Sequence, residues 1–245
     1  IDLFMSSAVA EYLNNYNSFE LFGLSHLAAT IFFIFLLIFL PYYSKSYLSL
    51  SQQKYLGNFL GFLIFSSYPI WVLLELIGGS FDLKLHLPFH LCRFANLLLP
   101  IVMLRRNEFI FQILFYWGLS GMFQGIITPD IVQDFPHFHY FRFFIGHHLM
   151  VVALIYLIIV HKMMPTIVGM RNSFIGLNLF LIISFIVNKI LDANYFWIMD
   201  KPPTGSLLDY MGPWPWYILT AEFVALSHFG LAYVIFILIR KYFIK

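Results

Sequence analysis

Apolar residues in this chain come in long runs, separated by short stretches rich in Pro, Gly and charge. A membrane-spanning helix needs about 20 largely apolar residues. Seven runs answer to that length: 21–41, 55–78, 87–104, 109–128, 141–160, 174–191 and 216–239. The pattern predicts an all-α, polytopic membrane protein, a seven-transmembrane-helix bundle forming a single domain over residues 1–245. No soluble domain fits between the runs. The stretch Met-Gly-Pro-Trp-Pro-Trp-Tyr at 211–217 leads into the last run with Trp and Tyr at headgroup level. No basic segment precedes the first run, so no signal peptide is expected.

Charge orients the bundle. Lys45, Lys54, Arg105, Arg106, Lys162, Arg171, Arg240, Lys241 and Lys245 fall in alternate connections, whereas the opposite connections hold only Lys84 and Lys201. Most acids run the other way: Asp2, Glu11, Glu20, Asp82, Asp130, Asp134, Asp200 and Asp209. Positive loops stay cytoplasmic, so the expected topology is N-out, C-in.

Composition agrees with a membrane class. Hydrophobic residues make up 61% of the chain and charged residues 11%, against about 25% charged in soluble domains. Mean hydropathy is +0.82. The net charge of +2 says little about partners, since its distribution matters more than its total, and no nucleic-acid partner is expected. The single cysteine, Cys92, excludes an intrachain disulfide.

Ionisable groups inside a bilayer are costly and mark functional sites. Here they gather in the half of the bundle assigned to the outside, apart from His228 near the middle. At ~1.5 Å per residue, Cys92 lies ~8 Å deep, and His147 and Glu222 each lie ~9 Å deep. His26, Glu75, Gln124 and Lys189 fall in the same outer third. On the third run, His86, His90, Arg93 and Asn96 recur at helical spacing beside Cys92. His147 and His148 point about 100° apart, so only one aims at a common centre.

A cysteine and a histidine at one depth on two helices suit nucleophilic catalysis. The imidazole takes the thiol proton, and the thiolate attacks an ester carbonyl to form an acyl-thioester. Cys92 is the candidate nucleophile and His147 the candidate base. His90, Arg93, Asn96, His148, Glu222 and Lys189 are candidates to orient them or to stabilise an oxyanion. The blander reading makes Cys92 a packing residue and Glu222 the ion-pair partner of Lys189 or Arg142. HExxH is absent, and no metal or cofactor is expected. Two further readings stay open: a noncatalytic lipid-binding or scaffold subunit of a membrane complex, and a proton-coupled transporter. The apolar inner half of the bundle weighs against the transporter.

Several runs resemble a known family: Leu-Pro-Phe-His-Leu-Cys at 87–92, Phe-Tyr-Trp-Gly-Leu at 115–119, Thr-Pro-Asp at 128–130, Phe-Ile-Gly-His at 144–147 and Ser-Leu-Leu-Asp-Tyr-Met-Gly-Pro-Trp-Pro-Trp-Tyr at 206–217. Together they look like the YwaF-like integral membrane family of bacteria, from about residue 21 to the end of the last run. That family is similar to eukaryotic multipass phospholipid acyltransferases that use a Cys and a His. The resemblance implies Cys92 and His147 in those roles, membrane phospholipids as partners, and the bacterial cytoplasmic membrane as the location, with the polar site facing the outer leaflet. Members commonly carry Gly-His-Gly where this chain has Gly146, His147 and His148.

Overall fold

The computed structural model describes residues 3–203 and 205–243. Asp2 and Lys245, which enter the charge pattern above, lie outside them. The described residues are helical throughout their ordered elements, with a single isolated β-bridge between Ser18 and Gln133. The helices are α1 (Leu3–Asn14), α2 (Leu24–Tyr47), α3 (Leu50–Gly78), α4 (Leu91–Arg105), α5 (Glu108–Trp117), α6 (Phe123–Ile127), α7 (Phe138–Phe144), α8 (Met150–His161), α9 (Ile167–Leu191) and α10 (Trp216–Phe243). A π-helical turn, Gly118–Met122, joins α5 to α6, and a second, Ile145–Leu149, joins α7 to α8.

Six helical segments among the described residues are long and apolar enough to cross a membrane: Leu24–Tyr47, Leu50–Gly78, Glu108–Ile127, Phe138–His161, Ile167–Leu191 and Trp216–Leu238. The remaining expected span, 87–104, differs. Helix α4 starts at Leu91 and runs only 15 residues. The reason lies in the segment before it, where Pro88 biases Leu87 to extended backbone. That segment is held from outside. Tyr195 Oη accepts the Leu87 N–H (2.9 Å) and donates to the Leu83 carbonyl (2.5 Å), and Tyr68 Oη donates to the His86 carbonyl (2.8 Å).

Local chemistry sets the helix limits. Ser49 caps α3 with a reciprocal box: its Oγ accepts from Gln52 N–H (3.3 Å), and Gln52 Oε1 accepts from Ser49 N–H (2.9 Å). Asn107 and Thr166 cap α5 and α9 by accepting from Ile110 N–H and Gly169 N–H, each at 2.9 Å. Helix α3 ends at Gly79, whose φ of +76° suits a residue without a Cβ.

The helix Phe138–His161 forms the centre. Of its apolar stretch 72% is buried, against 11% for Leu24–Tyr47 and 17% for Trp216–Leu238, which therefore lie at the periphery. Helix α4 packs against α3 and α5, α8 against α2 and α3, and α9 against α5. Ala95, Leu99, Val102, Met103, Leu114, Leu154 and Leu157 are fully buried between them. In lipid, close packing and hydrogen bonds join helices more than the hydrophobic effect does. The bonds are present. Ser44 Oγ donates to Tyr156 Oη (2.8 Å), which donates to the Gln53 carbonyl (2.7 Å), and Trp117 Nε1 donates to the Ser173 carbonyl (3.0 Å). Helix α1 packs against α3, with Ser6 Oγ donating to the Ile77 carbonyl (2.8 Å). At 12 residues and low amphipathicity, α1 falls below what an apolar run reveals.

Candidate functional site

Cys92 is the second residue of α4, directly after the extended segment that ends at His90. His147 sits in the π-helical turn Ile145–Leu149. Turns of this kind insert an extra residue into a helix and occur often at functional sites. Here the turn places the His147 side chain beside the Cys92 thiol.

The imidazole is fixed on three sides. Nδ1 lies 2.9 Å from the Phe143 carbonyl. A carbonyl only accepts, so Nδ1 carries the proton and Nε2 keeps its lone pair. The Phe143 ring stacks on the imidazole at 4.1 Å with 18° between planes. On a third side stands the backbone of Gly125 in α6. A Cβ there would lie 2.9 Å from His147 Cδ2 and 3.2 Å from Nε2.

Asn96 ties α4 to the turn. With its amide oriented to suit its surroundings, Nδ2 donates to the Gly146 carbonyl (3.1 Å) and to the Cys92 carbonyl (3.2 Å). Gly146 permits this approach, since a Cβ would stand 2.8 Å from the amide. Asn96 is buried, and these bonds engage its donor group. It orients the site rather than presenting a donor to a reacting oxyanion.

Two arginines stand at the same end. Arg93 Cζ lies 4.4 Å and Arg142 Cζ 4.1 Å from the centre of the buried Trp71 ring. Both are within electrostatic reach of the Cys92 sulfur. Arg93 donates through Nη1 to the carbonyls of Leu85 and, at 3.3 Å, Leu87. Trp71 is held in turn by Glu75, which is buried. Trp71 Nε1 donates to Glu75 Oε1 (2.8 Å), Ser80 Oγ donates to Oε2, and His139 Nε2 lies 3.4 Å from Oε1. His86 Nε2 lies 3.8 Å from the same oxygen. Among the described residues, no three His, Cys, Asp or Glu side chains converge as metal ligands.

The other candidates lie elsewhere. His148 is buried on the far side of the turn, between the rings of Phe33 (4.9 Å) and Phe144 (4.8 Å), with both nitrogens unbonded. His90 packs edge-on to Tyr195 and Trp197. Glu222 accepts from Asn178 Nδ2 (3.0 Å), a bond between α10 and α9 in place of the ion pair with Lys189 or Arg142 considered above. Lys189 is exposed, with its ammonium 5.6 Å from the Phe185 ring. Depth alone grouped these residues; the helix face separates Glu222, Lys189 and His148 from Cys92.

Sequence reasoning missed Trp71, Phe143 and Gly125 and gave Arg142 no place beside Cys92. A signal existed for one of them: Trp71 and Glu75 stand four residues apart on one helix, the spacing of facing side chains.

A TMEM164 family model matches residues 21–233. An uncharacterized protein from Treponema pallidum (strain Nichols) is 24% identical over 116 residues, which is 47% of this chain and 48% of that protein. The match thus spans about half the length of that curated relative. No solved structure matches.

Proposed function

This chain belongs to the TMEM164 family of multipass membrane proteins, and from that premise we propose that it transfers or hydrolyses fatty-acyl groups of membrane lipids through an acyl-Cys92 intermediate. The observation that carries the reading is the orientation of His147. Its Nδ1–H is committed to the Phe143 carbonyl, which leaves the Nε2 lone pair as the base on a ring beside the thiol.

The steps follow from that arrangement. Nε2 takes the thiol proton as Sγ attacks the carbonyl carbon of a lipid ester. The oxyanion forms in the positive field of Arg93, the residue next to Cys92. The tetrahedral centre collapses with cleavage of the acyl carbon–alkoxy oxygen bond. The alkoxy oxygen takes the proton from the imidazolium and leaves as the hydroxyl of a lysolipid. In the second half, a hydroxyl on an acceptor lipid, or water, gives its proton to Nε2 and attacks the thioester. The thiolate leaves and is reprotonated.

The setting supports a lipid substrate. The helices around the site expose long apolar faces, as Ile31, Phe35 and Ile38 of α2 do. The resemblance to YwaF-like proteins of bacteria and to Cys/His phospholipid acyltransferases supports the same chemistry and a bacterial cytoplasmic membrane, and the asymmetric distribution of Lys and Arg supports a site in its outer half.

The test is the intact mass of purified protein after incubation with mixed phospholipids, with Cys92→Ala as control. A fatty-acyl mass increment on the wild type alone, removed by neutral hydroxylamine, is expected. An increment present on both proteins, or on neither, would overturn the assignment of Cys92.

A further inference from the structure

The two arginines beside Cys92 are more than the proposed acyl chemistry requires. Their donors are largely open. Arg93 engages one terminal nitrogen with backbone carbonyls. Arg142 Nε is buried without a partner, and no hydrogen bond from its terminal nitrogens is found among the described residues. Glu75 balances charge without taking up these donors. Glu75 acts on Arg142, and Asp130 on both arginines, through their fields. The Glu75 oxygens already accept from Trp71 and Ser80. Uncommitted guanidinium groups inside a membrane protein mark a ligand site by default.

Geometry narrows the ligand. Each guanidinium carbon lies close to one indole centre, at 4.4 and 4.1 Å, so the two carbons are no further apart than the sum of those distances. Two guanidinium groups held that close can both donate to the oxygens of one tetrahedral oxyanion. A carboxylate is satisfied by a single arginine fork, whereas a phosphate offers oxygens to two. Depth points the same way. Arg142 lies in the first turns of the helix Phe138–His161, five residues before His147, or roughly 8 Å along a helix axis. A glycerophospholipid has the same layout, with its phosphate at the headgroup and its ester carbonyl a short way deeper.

We propose that Arg93 and Arg142, stacked on Trp71, form a phosphate-binding site that holds the headgroup phosphodiester of a phospholipid while its ester carbonyl lies at Cys92. This assignment rests on the acyl-transfer reading for its purpose but not for its test. Glu75 acts as a positioning residue, holding the indole on which both arginines rest.

Binding is measured on full-length Cys92→Ala protein in detergent, so that turnover plays no part. The probes are short-chain phosphatidylglycerol, diacylglycerol with the same chains, and inorganic phosphate. Phosphatidylglycerol is expected to bind at least ten-fold tighter than diacylglycerol, and inorganic phosphate to bind weakly. Arg142→Gln is expected to remove that preference while leaving diacylglycerol affinity unchanged, and Arg142→Lys to keep part of it. Equal affinity for the two lipids in the Cys92→Ala protein overturns the proposal with no arginine variant needed. So does a preference that survives both Arg142→Gln and Arg93→Gln. Inorganic phosphate binding as tightly as the lipid would assign the site to the free anion and overturn the lipid headgroup. A phosphate preference without any acyl-Cys92 would leave the headgroup site standing and sink the catalytic reading alone.

Discussion

Gly125 packs directly against the His147 imidazole: a Cβ on it would stand 2.9 Å from Cδ2 and 3.2 Å from Nε2. The ring has nowhere to retreat, because Phe143 stacks on it at 4.1 Å and the Phe143 carbonyl holds Nδ1 at 2.9 Å. Gly125→Ala therefore displaces the ring from the thiol. A misplacement of about 1 Å at a reacting group costs on the order of 10²-fold in rate. Acylation of Cys92, followed by mass against time, is expected to slow by about that factor while thermal unfolding in detergent changes little. An unchanged acylation rate would remove the imidazole position from the mechanism.

Asn96 links two elements that carry the candidate pair, bonding the Gly146 carbonyl at 3.1 Å and the Cys92 carbonyl at 3.2 Å. Asn96→Leu keeps the volume and loses both bonds. Leaving buried acceptors unpaired costs about 1–3 kcal/mol. The midpoint of thermal unfolding should fall accordingly, and acylation should fall with it. Asn96→Leu with wild-type stability and rate would mean that α4 and the π-helical turn are held together by packing alone.

His137 lies just before the membrane segment and links α7 to α1. It is buried, its Nδ1 accepts from His139 N–H (3.2 Å), and its Nε2 meets the Tyr12 carbonyl at 3.2 Å. Both nitrogens are thus engaged in the neutral form. Burial lowers its pKa from the ordinary 6.5, while the Tyr12 carbonyl pulls the other way. With the folded value depressed, the unfolded state binds more protons below the ordinary value. The stabilisation is fully present above pH 6.5 and is lost as pH falls toward the lower folded value. Protection of the α1 amides, measured against the intrinsic exchange rate at each pH, should therefore fall between neutral and mildly acidic pH, and His137→Gln should flatten that dependence. A pH-independent α1 would show that the Tyr12–His137 contact does not anchor it.

The legible parts of this molecule are those that an apolar run announces. Helices α2, α3, α9 and α10 contain most of the runs that hydropathy marks, because lipid demands a continuous hydrogen-bonded helix there, and each extends four to seven residues past its run at one end. Helix α4 was misjudged at its start because contacts with Tyr195 and Tyr68, distant in sequence, hold residues 83–87 out of the helix. Equal depth brought Cys92 and His147 together on paper. It equally brought in Glu222 and Lys189, whose helices turn them toward Asn178 and toward the surface. The π-helical turns left no sequence mark, although one of them decides which of the two adjacent histidines meets Cys92. Trp71 read as one more apolar residue, yet its indole N–H and its ring face organise Glu75 and both arginines.

Glu75 is where that organisation can be tested without touching Cys92, His147 or either arginine. Its oxygens accept from Trp71 Nε1 at 2.8 Å and from Ser80 Oγ, and His139 stands 3.4 Å away. Glu75→Gln keeps the shape and one carbonyl acceptor; Glu75→Ala removes both acceptors. A hydrogen bond to a charged group contributes about 1.5–3 kcal/mol, so the alanine variant should lose at least that much stability and the glutamine variant less. If Glu75 positions the indole, fluorescence from the Trp71 environment should also become more quenchable in Glu75→Ala, as judged by the difference from a Trp71→Phe background. The affinity for phosphatidylglycerol should fall with it, in the order wild type, Glu75→Gln, Glu75→Ala. Stability falling in that order with headgroup affinity constant would make the Glu75–Trp71 pair a structural brace only, and would show that Arg93 and Arg142 hold their places without it.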